Sequence, residues 1–198
     1  MQGSCDFNDE RWMGKALELA SRALSNGEFP VGCVLVSGER VVGEGMRLNS
    51  KGGSANELDH AEIIALRDLV RREACITAAG CGDRHDLTAY STLEPCLMCL
   101  GALVLNGVKR IVFAYEDVMG GACGLDLSTC NSVFLVSRAE DPVRFYTESL
   151  YNRMAHVKVI GGVRRGESLS LFRAFFSDPA NSYWRGSLFA AYTELPNK

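Results

Sequence analysis

Residues 87–115, LTAYSTLEPCLMCLGALVLNGVKRIVFAY, decide the fold. The first seven read as a strand over 87–93. Pro95 then suits the first turn of a helix, where its missing N–H leaves no bond unmade. That helix carries Cys96, Cys99, Leu100, Leu103 and Val104, and Gly107 stops it. A second strand follows over 108–115. Strand, helix, strand is a crossover unit, and crossovers make parallel neighbours where tight turns make antiparallel ones.

Upstream, Asn8 or Asp9 can cap a helix whose apolar stripe runs Met13, Ala16, Leu17, Ala20, Ala23 and Leu24, with Gly27 as its stop. Residues 30–36 and 40–46 flank Ser37-Gly38 and predict a hairpin. The polar, Gly-rich stretch 47–58 reads as a loop. Asp59 opens a helix through Arg72, with Ala61, Ile64, Ala65 and Leu69 inward. Downstream, 157–160 predicts a short fifth strand and 167–176 a helix, while 126–156 and the tail after 177 show no regular pattern. A hairpin followed by helix-linked strands predicts an α/β domain with a mixed sheet, one domain over 1–198 with an extended C-terminal segment.

Of the 198 residues, 47% are hydrophobic and 23% charged, an ordinary soluble composition. No apolar run approaches the ~18 residues a membrane span needs, and the opening six residues lack the apolar core of a secretory signal. The cytoplasm is therefore the expected compartment, and the eight cysteines are expected to be free thiols or metal ligands rather than disulfides. A net charge of −3 speaks against a dedicated nucleic-acid binder but leaves room for an enzyme with a local basic rim.

Two short motifs carry the chemistry. His60-Ala61-Glu62 stands at the start of one predicted helix, and Pro95-Cys96-Leu97-Met98-Cys99 at the start of another. Two thiolates three residues apart share a helix face, and a helix N-terminus favours their ionised form. With His60 they supply three ligands for one Zn²⁺, which leaves the fourth tetrahedral position to water, a catalytic rather than a structural arrangement. Zinc lowers that water's pKa towards ~7. Glu62 is placed to take a proton from the water and return it to the ring and the leaving ammonia. A lone C-x-x-C could equally be a redox pair, but H-x-E followed by P-C-x-x-C matches the signature of zinc-dependent base deaminases.

Further stretches carry a more specific resemblance: Phe29-Pro30-Val31-Gly32 with Val34-Leu35-Val36, Gly43-Glu44-Gly45, His60-Ala61-Glu62-Ile63, Thr92-Leu93-Glu94-Pro95-Cys96-Leu97-Met98-Cys99, Gly101-Ala102, Arg110-Ile111-Val112-Phe113 and Gly121-Ala122-Cys123-Gly124. Together they resemble the bacterial tRNA adenosine deaminases of the cytidine deaminase-like superfamily, over residues 9–126 and again at 162–176. The resemblance implies a three-layer α/β/α sandwich around a five-stranded mixed sheet, assembled as a homodimer with the site near the interface. The apolar run 97–105, more than one helix face needs, agrees with a dimer. It also implies that Phe29, Pro30 and Val31 line the base pocket. Where the family places an Asn after the second strand, Arg47 stands at the most direct alignment and Asn49 matches with a two-residue slip.

By the same resemblance the substrate is a tRNA anticodon loop, deaminated from adenosine to inosine at the wobble position. The C-terminal half would meet the loop, with Arg138, Arg144, Arg153, Arg164, Arg165, Arg173 and Arg185 as candidate phosphate contacts. The alternative is a free base or nucleoside such as guanine or cytosine, which the acidic balance, the missing clear Asn, the long 126–156 stretch and the added 181–198 tail favour. A non-catalytic zinc subunit is disfavoured by the presence of Glu62. Asp59, where the family commonly has a small residue, is expected to cap its helix. Cys33 and Val34 are expected in the core, and Cys75, Cys81 and His85 match no standard metal spacing. Tyr183-Trp184 with Arg185 is expected to pack as an amphipathic tail or a dimer contact, with base stacking the second reading.

Overall fold

The computed structural model describes residues 7–77, 87–126 and 150–196. Among these residues eleven α-helices and β-strands follow one another: α1 (Phe7–Ser25), β1 (Gly32–Ser37), β2 (Arg40–Met46), α2 (Ala61–Thr77), β3 (Leu87–Leu93), α3 (Leu97–Leu105), β4 (Val108–Tyr115), α4 (Leu150–Ala155), β5 (Lys158–Gly161), α5 (Arg165–Ser177) and α6 (Leu188–Glu194). The strands form one mixed sheet in the order β2-β1-β3-β4-β5. β1 is antiparallel to both β2 and β3, whereas β3, β4 and β5 run parallel, as the hairpin and crossovers predicted.

Each face of the sheet buries its own core. On one face Trp12, Met13, Ala16 and Leu17 of α1 pack on Val34, Tyr90 and Val112. On the other, Ala61, Ala65 and Leu69 of α2 and Leu100, Leu103 and Val104 of α3 pack on Cys33, Leu35, Ala89 and Ile111. Alternate residues of β1 thus serve opposite cores, the period of two that a strand imposes. Phe172, Phe175 and Phe189 join the second core from α5 and α6, so the C-terminal segment packs on the same centre as the motif-bearing half.

Asp9 is not a cap. It lies inside the first turn of α1, 1% exposed, and its carboxylate accepts two bonds from Arg110 and one from the Tyr90 hydroxyl. A buried carboxylate needs such partners, so the pair pins α1 to the sheet.

Glycine sets how closely α2 approaches β2. A Cβ on Gly45 would lie 2.1 Å from the Ala61 carbonyl, and one on Gly43 2.5 Å from that of Ala65. The Gly43-x-Gly45 spacing therefore seats the start of α2, with His60 and Glu62, directly on the sheet.

Candidate metal centre and substrate cavity

Parallel strands open at their C-terminal ends, and the site lies there, where β3 runs through Glu94 and Pro95 into α3. Cys96 is the N-cap of α3 with extended backbone (φ −69°, ψ 170°), not a residue of its first turn as its spacing predicted. Cys99 lies one turn in and is fully buried. The cap position still brings the two sulfurs together. Nδ1 of His60, which immediately precedes α2, lies 3.7 Å from the Cys96 sulfur and 3.5 Å from that of Cys99.

These donors fit a zinc ion. All three ligand atoms fall within 4.8 Å of one another. A tetrahedral ion with the usual Zn–N and Zn–S lengths sets N and S about 3.6 Å apart, close to both observed separations. Hydrogen bonds from Cys99 and His60 hold the Cys96 thiol down at about 4, so one thiolate is ready for a cation. Cys99 is pushed up, first by its bond to Cys96 and then by burial, so a bound metal would have to displace its proton. The far nitrogen of His60, Nε2, meets Glu57 Oε2 at 3.4 Å, the carboxylate–histidine pairing that fixes a ligand's orientation.

Glu62 is 3% exposed beside this centre. One carboxylate oxygen accepts from the Ser91 hydroxyl at 3.0 Å, and the other lies 3.5 Å from the Cys99 sulfur. Burial raises its pKa, which suits a group that must both take and give a proton. His60, Glu62 and Cys96 open onto a cavity of about 270 Å³ whose walls include Phe29, Val31, Leu93, Tyr183 and Trp184. Apolar walls around a few polar groups are what a flipped or free base requires.

Residues 7–115 match the cytidine and deoxycytidylate deaminase zinc-binding region. The chain belongs to this deaminase family. A Xenopus laevis relative named tRNA-specific adenosine deaminase 2 is 31% identical over 84% of this chain and 85% of its own. A Bacillus subtilis protein named tRNA-specific adenosine deaminase is 32% identical over 86% and 89%. A solved structure from a study of A-to-I editing by tRNA:A34 deaminases at the wobble position superposes with a TM-score of 0.55 at 26% identity, over 81% of this chain and 98% of the other. The deaminase fold expected from the motifs is therefore the fold observed, and the chain is a hydrolytic, zinc-binding deaminase.

Of the pocket residues that the resemblance implied, this deaminase brings Phe29 and Val31 to the cavity. Pro30 is buried but does not line it. Asn49 does not line it either: its side-chain amide donates to Asp59 at 2.7 Å, and its backbone is left-handed (φ 53°). Arg47, the residue at the most direct alignment, lines the cavity, its guanidinium bonded to the carbonyls of Leu48 and Asn56 and to Glu57. The Asp59 carboxylate accepts from Asn49, Asn56 and Arg67, a loop tie that holds its pKa at about 2.

Glu94 carried no sequence signal of its role, and for Tyr183 and Trp184 a place at the site was only the second reading. Glu94 accepts from the backbone N–H groups of Asp117 and Cys123 and lies where any Cβ on Gly121 would fall, docking the Gly120–Cys123 turn beside Cys96. Tyr183 and Trp184 form a cavity wall rather than a remote tail. The described arginines expected to reach phosphate are engaged internally. Arg164 pairs with Glu167, Arg165 with Glu116, and Arg153, Arg173 and Arg185 bond backbone carbonyls. Arg138 and Arg144 lie outside the described residues, as do Cys81 and His85 and the side chain of Cys75.

Proposed function

We propose that this chain hydrolyses adenosine to inosine at the wobble position of tRNA, using His60, Cys96 and Cys99 to hold one zinc and Glu62 to carry the proton. The observation that carries the catalytic part is the convergence of an imidazole nitrogen, two sulfurs and a buried carboxylate on one apolar cavity. The substrate follows from relatives named tRNA-specific adenosine deaminase that align along most of the chain. Zinc, when bound, acts as a Lewis acid that makes water nucleophilic at neutral pH. Glu62 takes one proton from the attacking water and passes it to the ring nitrogen, then takes the second from the hydroxyl so added to the ring and hands it to the departing amino group, which leaves as ammonia. Ser91 keeps the Glu62 carboxylate aimed, and Glu57 keeps Nδ1 of His60 turned toward the sulfurs. Phe29, Val31 and Leu93 exclude bulk water from the base.

The finer assignments share this basis. The protein works in the cytoplasm, and no helix among the described residues is long and apolar enough to cross a membrane. It acts as a homodimer joined through α3, where Leu97 and Leu105 are 56% and 60% exposed. Residues 1–198 act as one domain.

One observation favours a second reading, a free base or nucleoside as substrate. The described C-terminal arginines are spent on internal bonds, which leaves them poorly placed to neutralise phosphates. Ammonia release from a wobble-adenosine tRNA, run beside a panel of free bases and nucleosides, separates the two. Robust turnover of guanine or cytosine with an inert tRNA would replace the first reading by the second.

A further inference from the structure

The tail after α5 makes a tight turn over residues 183–186, and that turn is built with care. Trp184 sits in the left-handed region (φ 55°), a conformation that a bulky side chain adopts only when its surroundings impose it. The Arg185 guanidinium bonds the carbonyls of Asp178 and Asn181, and the Ser187 N–H bonds that of Trp184, which ties both sides of the turn. The result is a stacked pair, Tyr183 on Trp184 with centroids 5.3 Å apart and planes 12° from parallel. Phe29 lies 5.1 and 5.3 Å from the two rings, and the Arg47 guanidinium 5.6 Å from Tyr183. The Tyr183 hydroxyl donates to Glu57 at 2.9 Å, beside the metal-ligand histidine.

Core packing alone does not account for this pair. Both rings stay half-buried, and both line the cavity that holds His60 and Glu62. A strained turn that anchors two aromatic rings at the mouth of a base-sized cavity gives a flat, apolar, sequence-tolerant surface, the kind on which nucleobases stack.

We propose that Tyr183 and Trp184 are the wall on which the substrate base stacks, so that the C-terminal tail holds the base over the metal centre. The proposal rests on the deaminase reading of the cavity and applies to an RNA-borne or a free base alike. Tyr183 is fixed by its bond to Glu57, which leaves Trp184 as the ring to test.

The chain has two tryptophans, and Trp12 is buried in the core on the opposite face of the sheet. Base stacking is therefore read from Trp184 emission. The turnover-blocked Glu62→Gln protein is titrated with whichever substrate the unaltered protein deaminates: an anticodon stem–loop bearing a wobble adenosine, or free guanine or cytosine. The controls are the same stem–loop with an abasic wobble position, or ribose alone. The base-bearing ligand should quench emission and its control should not, and adding Trp184→Phe should remove the response. In the otherwise unaltered protein, Trp184→Ala should raise KM about tenfold or more at unchanged zinc content, the loss base–aromatic stacking carries, and Trp184→Phe should recover most of it. Equal quenching by ligand and control, a response that survives Trp184→Phe, or an unchanged KM in Trp184→Ala would overturn the proposal. Failure of the unaltered protein to deaminate any of these substrates would instead sink the deaminase reading.

Discussion

Glu62 and Asp59 stand three residues apart and are shifted in opposite directions. Burial raises the Glu62 pKa, whereas bonds from Asn56, Asn49 and Arg67 hold Asp59 at about 2. A general acid–base group contributes ~10²–10⁴ in rate, so Glu62→Gln should retain zinc and fold while turnover falls at least ~10²-fold. A collapse of folding in that variant would make Glu62 structural. Asp59 makes a different prediction, because its folded pKa lies below the unfolded value near 3.9. Its ionised form is favoured by folding, so it stabilises above about pH 4 and loses that contribution as pH falls towards 2. Asp59→Asn should therefore lower the melting temperature at pH 7, and the gap to the unaltered protein should close as pH drops towards 2. A gap that stays constant with pH would mean the tie is not electrostatic. His60, Cys96 and Cys99 were legible in sequence because ligand chemistry demands those residue types at those spacings. The bonds that Glu57, Asn49 and Arg47 make were not, since a loop's course between fixed ends leaves no period to read.

At the level of elements, the boundaries that glycine and proline mark were read closely, and those set by tertiary contacts were not. β2, β3 and β4 coincide with the expected strands, and α2 starts two residues later than Asp59 suggested. α4 and α6 escaped because each is only six or seven residues long and is held by packing, including Phe189 in the core, more than by an amphipathic pattern. The α2–β2 contact carries the sharpest prediction here. A methyl group at Gly45 would meet the α2 backbone at 2.1 Å, which side-chain repacking cannot relieve. Gly45→Ala should destabilise the protein by about 1–3 kcal/mol, the usual cost of overpacking, and should loosen zinc by displacing His60. Calorimetry with metal analysis checks this, and unchanged melting and zinc content would mean that α2 does not depend on that approach.

For the molecule as a whole, sequence located the metal centre, whereas the internal bonds of the C-terminal half left no mark in it. The resemblance and their charge nominated arginines for phosphate, and the described ones also hold the tail together: Arg165 and the Tyr192 hydroxyl both bond Glu116, and Arg173 bonds carbonyls at the end of α6. Pairing of this kind is invisible in composition because it joins residues far apart in the chain. The exposed apolar side chains of α3 predict a dimer, so light scattering at micromolar concentration should give twice the 21.6 kDa chain mass, and a monomer would refute it. The central claim is that one zinc per chain, held at this cavity, turns wobble adenosine into inosine. Inosine yield from an anticodon stem–loop, measured as zinc is returned to metal-stripped protein, tests it most directly. The yield should be absent without metal and should rise to a plateau at one equivalent per chain. Inosine formed by the stripped protein, or none at any zinc level, would contradict the account.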